Sequence, residues 1–434
     1  MCSDPQPWRC IVTTGNGGSQ TILVVGGGIS GLTAAVEAAE VGYSVILVEK
    51  NPYLGGRVAQ HNKYFPKLCT PTCGLEINYQ RIRNNARITF YTLAEVEEIT
   101  GTAGHFSVRV RQNPRFVNDK CTACDECSKA CTTQIDDPFN FGMGQTKAIG
   151  RPHAMAFPAR YVMDATFAKS DEARKLAQLC PVGAIEPDME AKTVTLTVGS
   201  IIWATGWQPY DPGRVRPYGF GLYANVINNM RFERLSSGQG PTRGQIVRPS
   251  DGKAVKNIAF IQCAGSRDHN YLPFCSQICC LASMKQATYI REQYPDAKVT
   301  IYYIDLRAMD RYEAFQKKVE ADAQVHWVKS KPARIDEDPK THDPIVMGEN
   351  TLTGERYAER YDLVVLATGM EPNSATSPIP AADVRYDDYG FVVNGQNGIH
   401  AVGCSAAPVD VASAVQASTA AALKAIQTIR QAGG

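Results

Sequence analysis

Between a short apolar run and an alanine-rich one sits a glycine-spaced loop, Gly26-x-Gly28-x-x-Gly31, and few folds accommodate that order. Thr21 to Val25 predicts a β-strand, Leu32 to Val41 a helix, and Ser44 to Glu49 a second, β-branched strand that ends in an acid. Strand, glycine turn, helix and strand form a βαβ unit. Such a loop holds a pyrophosphate on backbone N–H groups and on the positive end of the helix dipole. Gly28 lets the backbone approach a phosphate with no Cβ between, and Gly31 lets the helix close on the sheet. Glu49 lies at the offset of about 20 residues expected of an acid that grips ribose hydroxyls. A dinucleotide site is therefore expected on Gly26, Gly28, Ile29, Ser30, Gly31 and Glu49.

An α/β texture returns further along. Asn257 to Gln262, Leu281 to Tyr294 and Lys298 to Asp305 predict a second strand–helix–strand unit. Two strand candidates close on the same turn: Thr193 to Trp203 on Ala204-Thr205-Gly206, and Tyr361 to Leu366, which closes the second unit, on Ala367-Thr368-Gly369. Gly398 to Gly403 leads into an alanine-rich helix from about 412 to 432. Pro52 to Pro71 reads as loop, Arg87 to Arg111 alternates like antiparallel strands, and 207–250, rich in Gly, Pro and Arg, reads as surface connection. The expected division is a leader at 1–20, one nucleotide-binding domain built from 21–116, 191–215 and 361–434, an insertion at 117–190, and a second α/β domain at 216–360.

Cysteine is the informative residue, at 14 copies. Cys121-x2-Cys124-x2-Cys127-x3-Cys131 has the spacing of a ferredoxin-type iron–sulfur run. No second full run exists, but Cys180-Pro181-Val182-Gly183-Ala184-Ile185 resembles the tail of one. One [4Fe–4S] cluster on Cys121, Cys124, Cys127 and Cys180 is the economical reading, with Cys131 as the alternative fourth ligand. A second set, Cys263, Cys275, Cys279 and Cys280, suits a cluster, a zinc ion, a redox disulfide at Cys279-Cys280, or unoccupied thiols. Cys69 and Cys73 are too few for a cluster and read as a partner contact, a redox pair or inert thiols. Cys2 and Cys10 read as incidental. Clustered thiols without a secretory signal point to a reducing, cytoplasmic setting. A net charge of +2, from 45 basic and 43 acidic residues, makes no case for nucleic acid or a membrane surface. No apolar run reaches the roughly 20 residues of a membrane span.

The stretch Glu49-Lys50-Asn51-Pro52-Tyr53-Leu54-Gly55-Gly56-Arg57 resembles that of the two-dinucleotide-binding flavoproteins, the thioredoxin and glutathione reductase-like fold. The resemblance implies FAD, with Gly55 and Gly56 admitting the ribityl chain and Arg57 beside the cofactor. It adds Lys50, Val96, Thr205, Gly206, Thr368, Gly369, Gly403, Val411 and Ala412 to the expected contacts. One departure is Cys404, where that family carries an acid after the late glycine. The second α/β unit has Gln262-Cys263-Ala264-Gly265-Ser266-Arg267-Asp268 in place of a nicotinamide-binding glycine loop, so direct use of NAD(P)H is not expected.

"Cys-Ala-Gly-Ser-Arg-Asp" followed by "Cys-Ser-x-x-Cys-Cys" resembles the A subunits of heterodisulfide reductase, where this motif carries a cluster near the flavin. The stretch Glu49 to Ile82, with "NKYFPKLCTPTCGLEINYQRI", resembles in particular the A subunit of the quinone-interacting membrane-bound oxidoreductase complex. That resemblance implies an electron-transfer protein between the menaquinone pool and adenylylsulfate reductase, without catalytic residues beyond its cofactors. Its expected partners are a second protein with flavin and iron–sulfur centres, together with a haem-bearing membrane subunit, which would hold it at the inner face of the cell membrane. A heterodisulfide reductase-type role, with electron bifurcation as one form of it, and an NAD(P)H-dependent disulfide reductase are the alternatives.

Overall fold

The computed structural model describes residues 19–65, 68–308, 312–393 and 397–433; Cys2, Cys10 and nearly all of the expected leader lie outside them. Strand β1 (Thr21–Val25), helix α1 (Ile29–Glu40) and strand β2 (Ser44–Glu49) come in the expected order. Helix α1 begins earlier than its apolar run, so Ile29, Ser30 and Gly31 form its first turn. The stretch expected to be loop passes into α2 (Pro71–Arg83), with proline at its start, where a missing N–H costs nothing. Its buried positions are few (Pro71, Leu75, Tyr79 and Ile82), which hides the helical period in the sequence.

The expected antiparallel run divides. Strand β3 (Ile88–Thr92) pairs parallel with β2, while β4 (Ala94–Thr102) and β5 (His105–Gln112) form an antiparallel hairpin. Strand β6 (Lys192–Val198) joins that hairpin, and β7 (Ser200–Trp203) returns to the parallel sheet. Then follow β8 (Val226–Asn228), α3 (Asn229–Ser236), β9 (Asn257–Ala264), α4 (Cys279–Gln293), β10 (Lys298–Tyr303), β11 (Val325–Lys329), β12 (Leu363–Thr368), β13 (Ile399–Ala401) and α5 (Val411–Ala432).

Two parallel five-stranded sheets organise these elements. The first runs β13-β7-β1-β2-β3, the second β8-β12-β9-β10-β11. Strands buried on both faces explain the unbroken apolar runs TILVV and LVVLAT. On one face of the first sheet, alanines of α1 (Ala34, Ala35, Ala38) meet those of α5 (Ala421, Ala422, Ala425), so the two helices pack closely. On the other face Leu23, Ile46 and Val48 meet Phe106, Val108 and Val198 of the antiparallel sheet. Each such fully buried side chain contributes about 1.5–3 kcal/mol of transfer free energy.

Two expectations are corrected here. Leu363–Thr368 is an interior strand of the second sheet, paired with β8 and β9, as expected of the strand that closes the second unit, so the boundary drawn at 361 falls too early. Residues 207–250 are not merely surface, because they supply β8 and α3, and Glu233 and Arg234 on α3 are buried. The chain crosses between the two units on a short ribbon, Trp207–Pro209 against Met370–Pro372. The insertion gathers its own core around Ile149, Tyr161, Met163, Phe167 and Leu176. Among the described residues no helix is long and apolar enough to cross a membrane.

Candidate functional site

A cavity of about 960 Å³ lies over the carboxyl end of the first sheet and is walled by both α/β units and by the insertion. Its floor is the glycine loop. Gly26 (φ +108°) makes the turn that β1 needs, its N–H donating to the Val48 carbonyl at 2.7 Å. A Cβ on Gly31 would collide with the Gly26 carbonyl oxygen, so only glycine closes α1 on the loop. Gly28 instead faces open space, with Gly56 Cα the nearest atom at 3.9 Å from where its Cβ would stand. Gly55 (φ +110°) donates to the Gly27 carbonyl at 2.8 Å, which lays the glycine pair directly on the loop.

Glu49 is buried at the end of β2. Its carboxylate accepts from Gly27 N at 2.6 Å, Asn51 N at 2.7 Å and Asn51 Nδ2 at 2.7 Å. Burial pushes its carboxyl up, and the Asn51 and Gly27 N–H groups offset this in part. A carboxylate offers about four acceptor sites, so these three bonds leave one for a ribose hydroxyl. Lys50, Arg57, Val96, Thr205, Gly206 and Val411 also line the cavity, with Gly28, Ile29 and Ser30. The Arg57 guanidinium is anchored to the Trp207 carbonyl and to Gln60 Oε1; burial pulls its pKa down, and Tyr53 and Glu49 oppose that.

Some expected contacts stand elsewhere. Gly31, Gly55 and Gly403 support the cavity from behind its wall, and Ala412 follows Val411 into α5 without lining it. Thr368 and Gly369 do not reach the cavity. Their turn packs on the second cysteine set, where Cys279 Sγ donates to the Thr368 carbonyl at 3.5 Å and a Cβ on Gly369 would strike Ser266 Oγ. The ATG triplet predicts the turn, but strand β12 carries it to the other sheet. Cys404 lines the cavity, its thiol donating to the Val409 carbonyl at 3.5 Å and lying 3.8 Å from Met370 Sδ.

Several lining residues carry no sequence signal. Asp137, Phe139, Lys147 and Arg151 come from the insertion, and Trp207 and Met370 from the crossing ribbon. Ile278, Leu281 and Lys285 arrive from the start of α4. Lys285 and Glu233 are both buried and meet at 3.1 Å, and Lys285 Nζ also donates to the Lys63 carbonyl at 2.6 Å. Burial would raise the Glu233 carboxyl, but Lys285, His61 and Gln286 hold it well below the usual carboxylate range.

The four expected ligands of the ferredoxin-type run converge. Cys121, Cys124, Cys127 and Cys180 line one small cavity with Val117, Tyr161 and Ile185. The loop wraps tightly through left-handed Ala123 and Asp125, and Ala184 N donates to Cys180 Sγ at 3.2 Å, the kind of bond that steadies a thiolate ligand. Burial, with Cys121 and Cys180 beside it, pushes the Cys127 thiol up to about 11. Cys131 is buried outside that cavity and donates to the Thr133 carbonyl at 3.4 Å. The donor set fits a cubane cluster on the first four.

Cys263, Cys279 and Cys280 are buried and Cys275 half-buried, all four as free thiols within electrostatic reach of one another. Burial pushes Cys280 up to about 11 and raises Cys263 and Cys279 as well, so these three thiols keep their protons until a metal takes the proton's place. Cys263 is held left-handed at φ +54°, and Gln277 N donates to Cys275 Sγ at 3.4 Å. Gln262 Nε2 and Ser266 Oγ are buried beside the set with no hydrogen-bond partner. An orphaned donor of this kind marks a missing acceptor, and cluster sulfur is one. Among the described residues no group of three or more His, Cys, Asp or Glu side chains is arranged to hold a metal ion. Cys69 and Cys73 lie near Tyr64, a cavity-lining residue whose phenol is pushed upward by burial first and then by the two thiols.

A family model described as FAD dependent oxidoreductase matches residues 21–128. The iron–sulfur A subunit numbered 2 of CoB–CoM heterodisulfide reductase from Methanopyrus kandleri is 39% identical over 417 residues, 93% of this chain and 63% of that one. The A subunit of the ferredoxin/F420H2-dependent enzyme from Methanosarcina acetivorans is 36% identical over 97% of this chain and 54% of its own length. That of the H2:CoB–CoM heterodisulfide,ferredoxin reductase from Methanothermobacter thermautotrophicus is 34% identical over 94% and 64%. The chain thus spans between about half and two thirds of the length of these relatives. Thioredoxin reductases from T. acidophilum (TM-score 0.51, 17% identity, 94% of this chain and 98% of that one) and Lactococcus lactis (0.52, 14%, 95% and 99%) share the fold.

Proposed function

We propose that the chain is a flavoprotein of the heterodisulfide reductase A type, an FAD-dependent oxidoreductase on the thioredoxin reductase fold, and that it relays electrons between two iron–sulfur clusters and FAD inside a multi-subunit complex. The observation that carries this reading is one cavity shaped for a dinucleotide, walled by both cysteine-bearing segments. Bound FAD supplies the exchange between one-electron and two-electron steps that clusters alone lack.

The chain's own residues divide the work. Gly26, Gly28 and the first turn of α1 hold the pyrophosphate, Glu49 the ribose, and Arg57 and the amino end of α5 the ring system. Cys121, Cys124, Cys127 and Cys180 hold one cluster. Cys263, Cys275, Cys279 and Cys280 hold the other, one residue away from Ile278 in the cavity wall. At the second α/β loop the single glycine, Gly265, is covered by the Tyr210 ring, 2.6 Å from where a Cβ would stand, which leaves no bare backbone for a nicotinamide dinucleotide.

Anaerobic purification tests the relay. About one FAD and about eight iron atoms per chain are expected for two [4Fe–4S] clusters. Iron below about one per chain would sink it, and rapid bleaching of the flavin by NADH without partners would replace it by a disulfide reductase. For partners, the names of the relatives favour a CoB–CoM heterodisulfide reductase-type complex, with electron bifurcation as a further option. The stretch Glu49 to Ile82 favours the quinone-linked relative, with the chain between menaquinone and adenylylsulfate reductase at the membrane's inner face. Proteins captured with the native chain decide: a haem-bearing membrane protein selects the second, its absence the first.

A further inference from the structure

We propose that Gln262 and Ser266 are the hydrogen-bond donors that set the reduction potential of the second cluster. This rests on the reading of Cys263, Cys275, Cys279 and Cys280 as cluster ligands. Gln262 is buried near the end of β9, in a strand whose other buried side chains are apolar or cysteine. Its Oε1 accepts from the Cys280 thiol at 3.3 Å, while its Nε2 has no partner.

That contact holds only while Cys280 carries a proton. On binding iron the thiol becomes a thiolate, an acceptor, and the amide oxygen would then face negative charge. A half-turn of the amide exchanges its two ends and brings Nε2, the orphaned donor, to Cys280 Sγ. Binding of the cluster thereby satisfies a group that the empty set leaves unpaired. Ser266 Oγ, buried and equally without a partner, stands on the same loop, with its own N–H bonded to the Cys263 carbonyl at 3.1 Å. Donors to cluster sulfur stabilise the added electron and raise the potential. The reduced cluster next to the cavity is the form these two residues favour.

Redox titration of the anaerobic holoprotein, followed by electron paramagnetic resonance, tests this. In Gln262→Leu the signal of one cluster moves to lower potential and the other stays in place; Ser266→Ala moves the same signal in the same direction, by less. Gln262→Glu, which cannot donate and adds charge, moves it furthest. Ser266→Ala removes a single oxygen, so it keeps the test valid if Gln262→Leu folds poorly. Full iron content with both potentials unchanged in Gln262→Glu and Ser266→Ala overturns the proposal. Wild-type protein with about four irons per chain and one signal overturns the second-cluster reading instead.

Discussion

A Cβ on Gly31 would run into the Gly26 carbonyl, whereas one on Gly28 would meet only empty cavity. The two substitutions should therefore separate. Gly31→Ala overpacks the helix against the loop and is expected to cost about 1–3 kcal/mol or more, read as a lower melting temperature. Gly28→Ala, at an ordinary φ of −75°, should leave the melting temperature of the apoprotein within a few degrees and abolish FAD uptake. Equal effects on both measurements would refute the assignment of Gly28 to the phosphate. Among the cysteines, Cys131→Ser should retain the iron of the wild type, and Cys180→Ser should lose about four atoms per chain. The run spacing left both as fourth ligand; the choice follows from which sulfurs line the common cavity.

Helices α3 and α4 meet through one buried ion pair. Glu233 accepts from Lys285, Gln286, Tyr289 and the Asn62 backbone, tying the second unit to the segment after the glycine pair. Glu233→Ala leaves the Lys285 charge buried with its carboxylate partner gone, and about 3–5 kcal/mol of stability should go with it. The same pair predicts a pH dependence. Its carboxyl is held below the ordinary value of 4.5, so in acid the unfolded chain takes up a proton that the folded state resists. The stability it contributes is full above that value and declines as pH falls below it. Denaturant midpoints measured from about pH 6 down to about pH 3 should drop in the wild type once the pH passes below 4.5, and drop less in Glu233→Gln. Neither residue stands out in the sequence: α3 lies in a stretch rich in Gly, Pro and Arg, and α4 follows a cysteine loop. Pairing across about 50 residues leaves no local period to detect.

For the molecule as a whole, the insertion both gathers Cys121, Cys124, Cys127 and Cys180 and walls the large cavity. Lys147 shows the link, lining the cavity while its Nζ donates to the Cys131 carbonyl at 2.8 Å. Its apolar core is nevertheless its own. A Cys121→Ala, Cys124→Ala protein should therefore keep its flavin, at wild-type absorbance per chain, while losing one cluster signal. Loss of flavin with the cluster would mean that the metal, rather than that core, shapes the cavity wall. From sequence alone came the βαβ unit, the glycine pair, both cysteine sets and the final helix, since each is a local pattern of spacing or apolar period. Tertiary structure decided what depends on partners far along the chain. It moved Thr368 and Gly369 from the flavin to the second cysteine set, because strand β12 completes the second sheet. It also brought Cys180 to three cysteines more than fifty residues away, and walled the cavity with Lys147, Met370 and Lys285. Local pattern encodes which backbone can form; which side chains then face one another is set by the packing of sheets and helices.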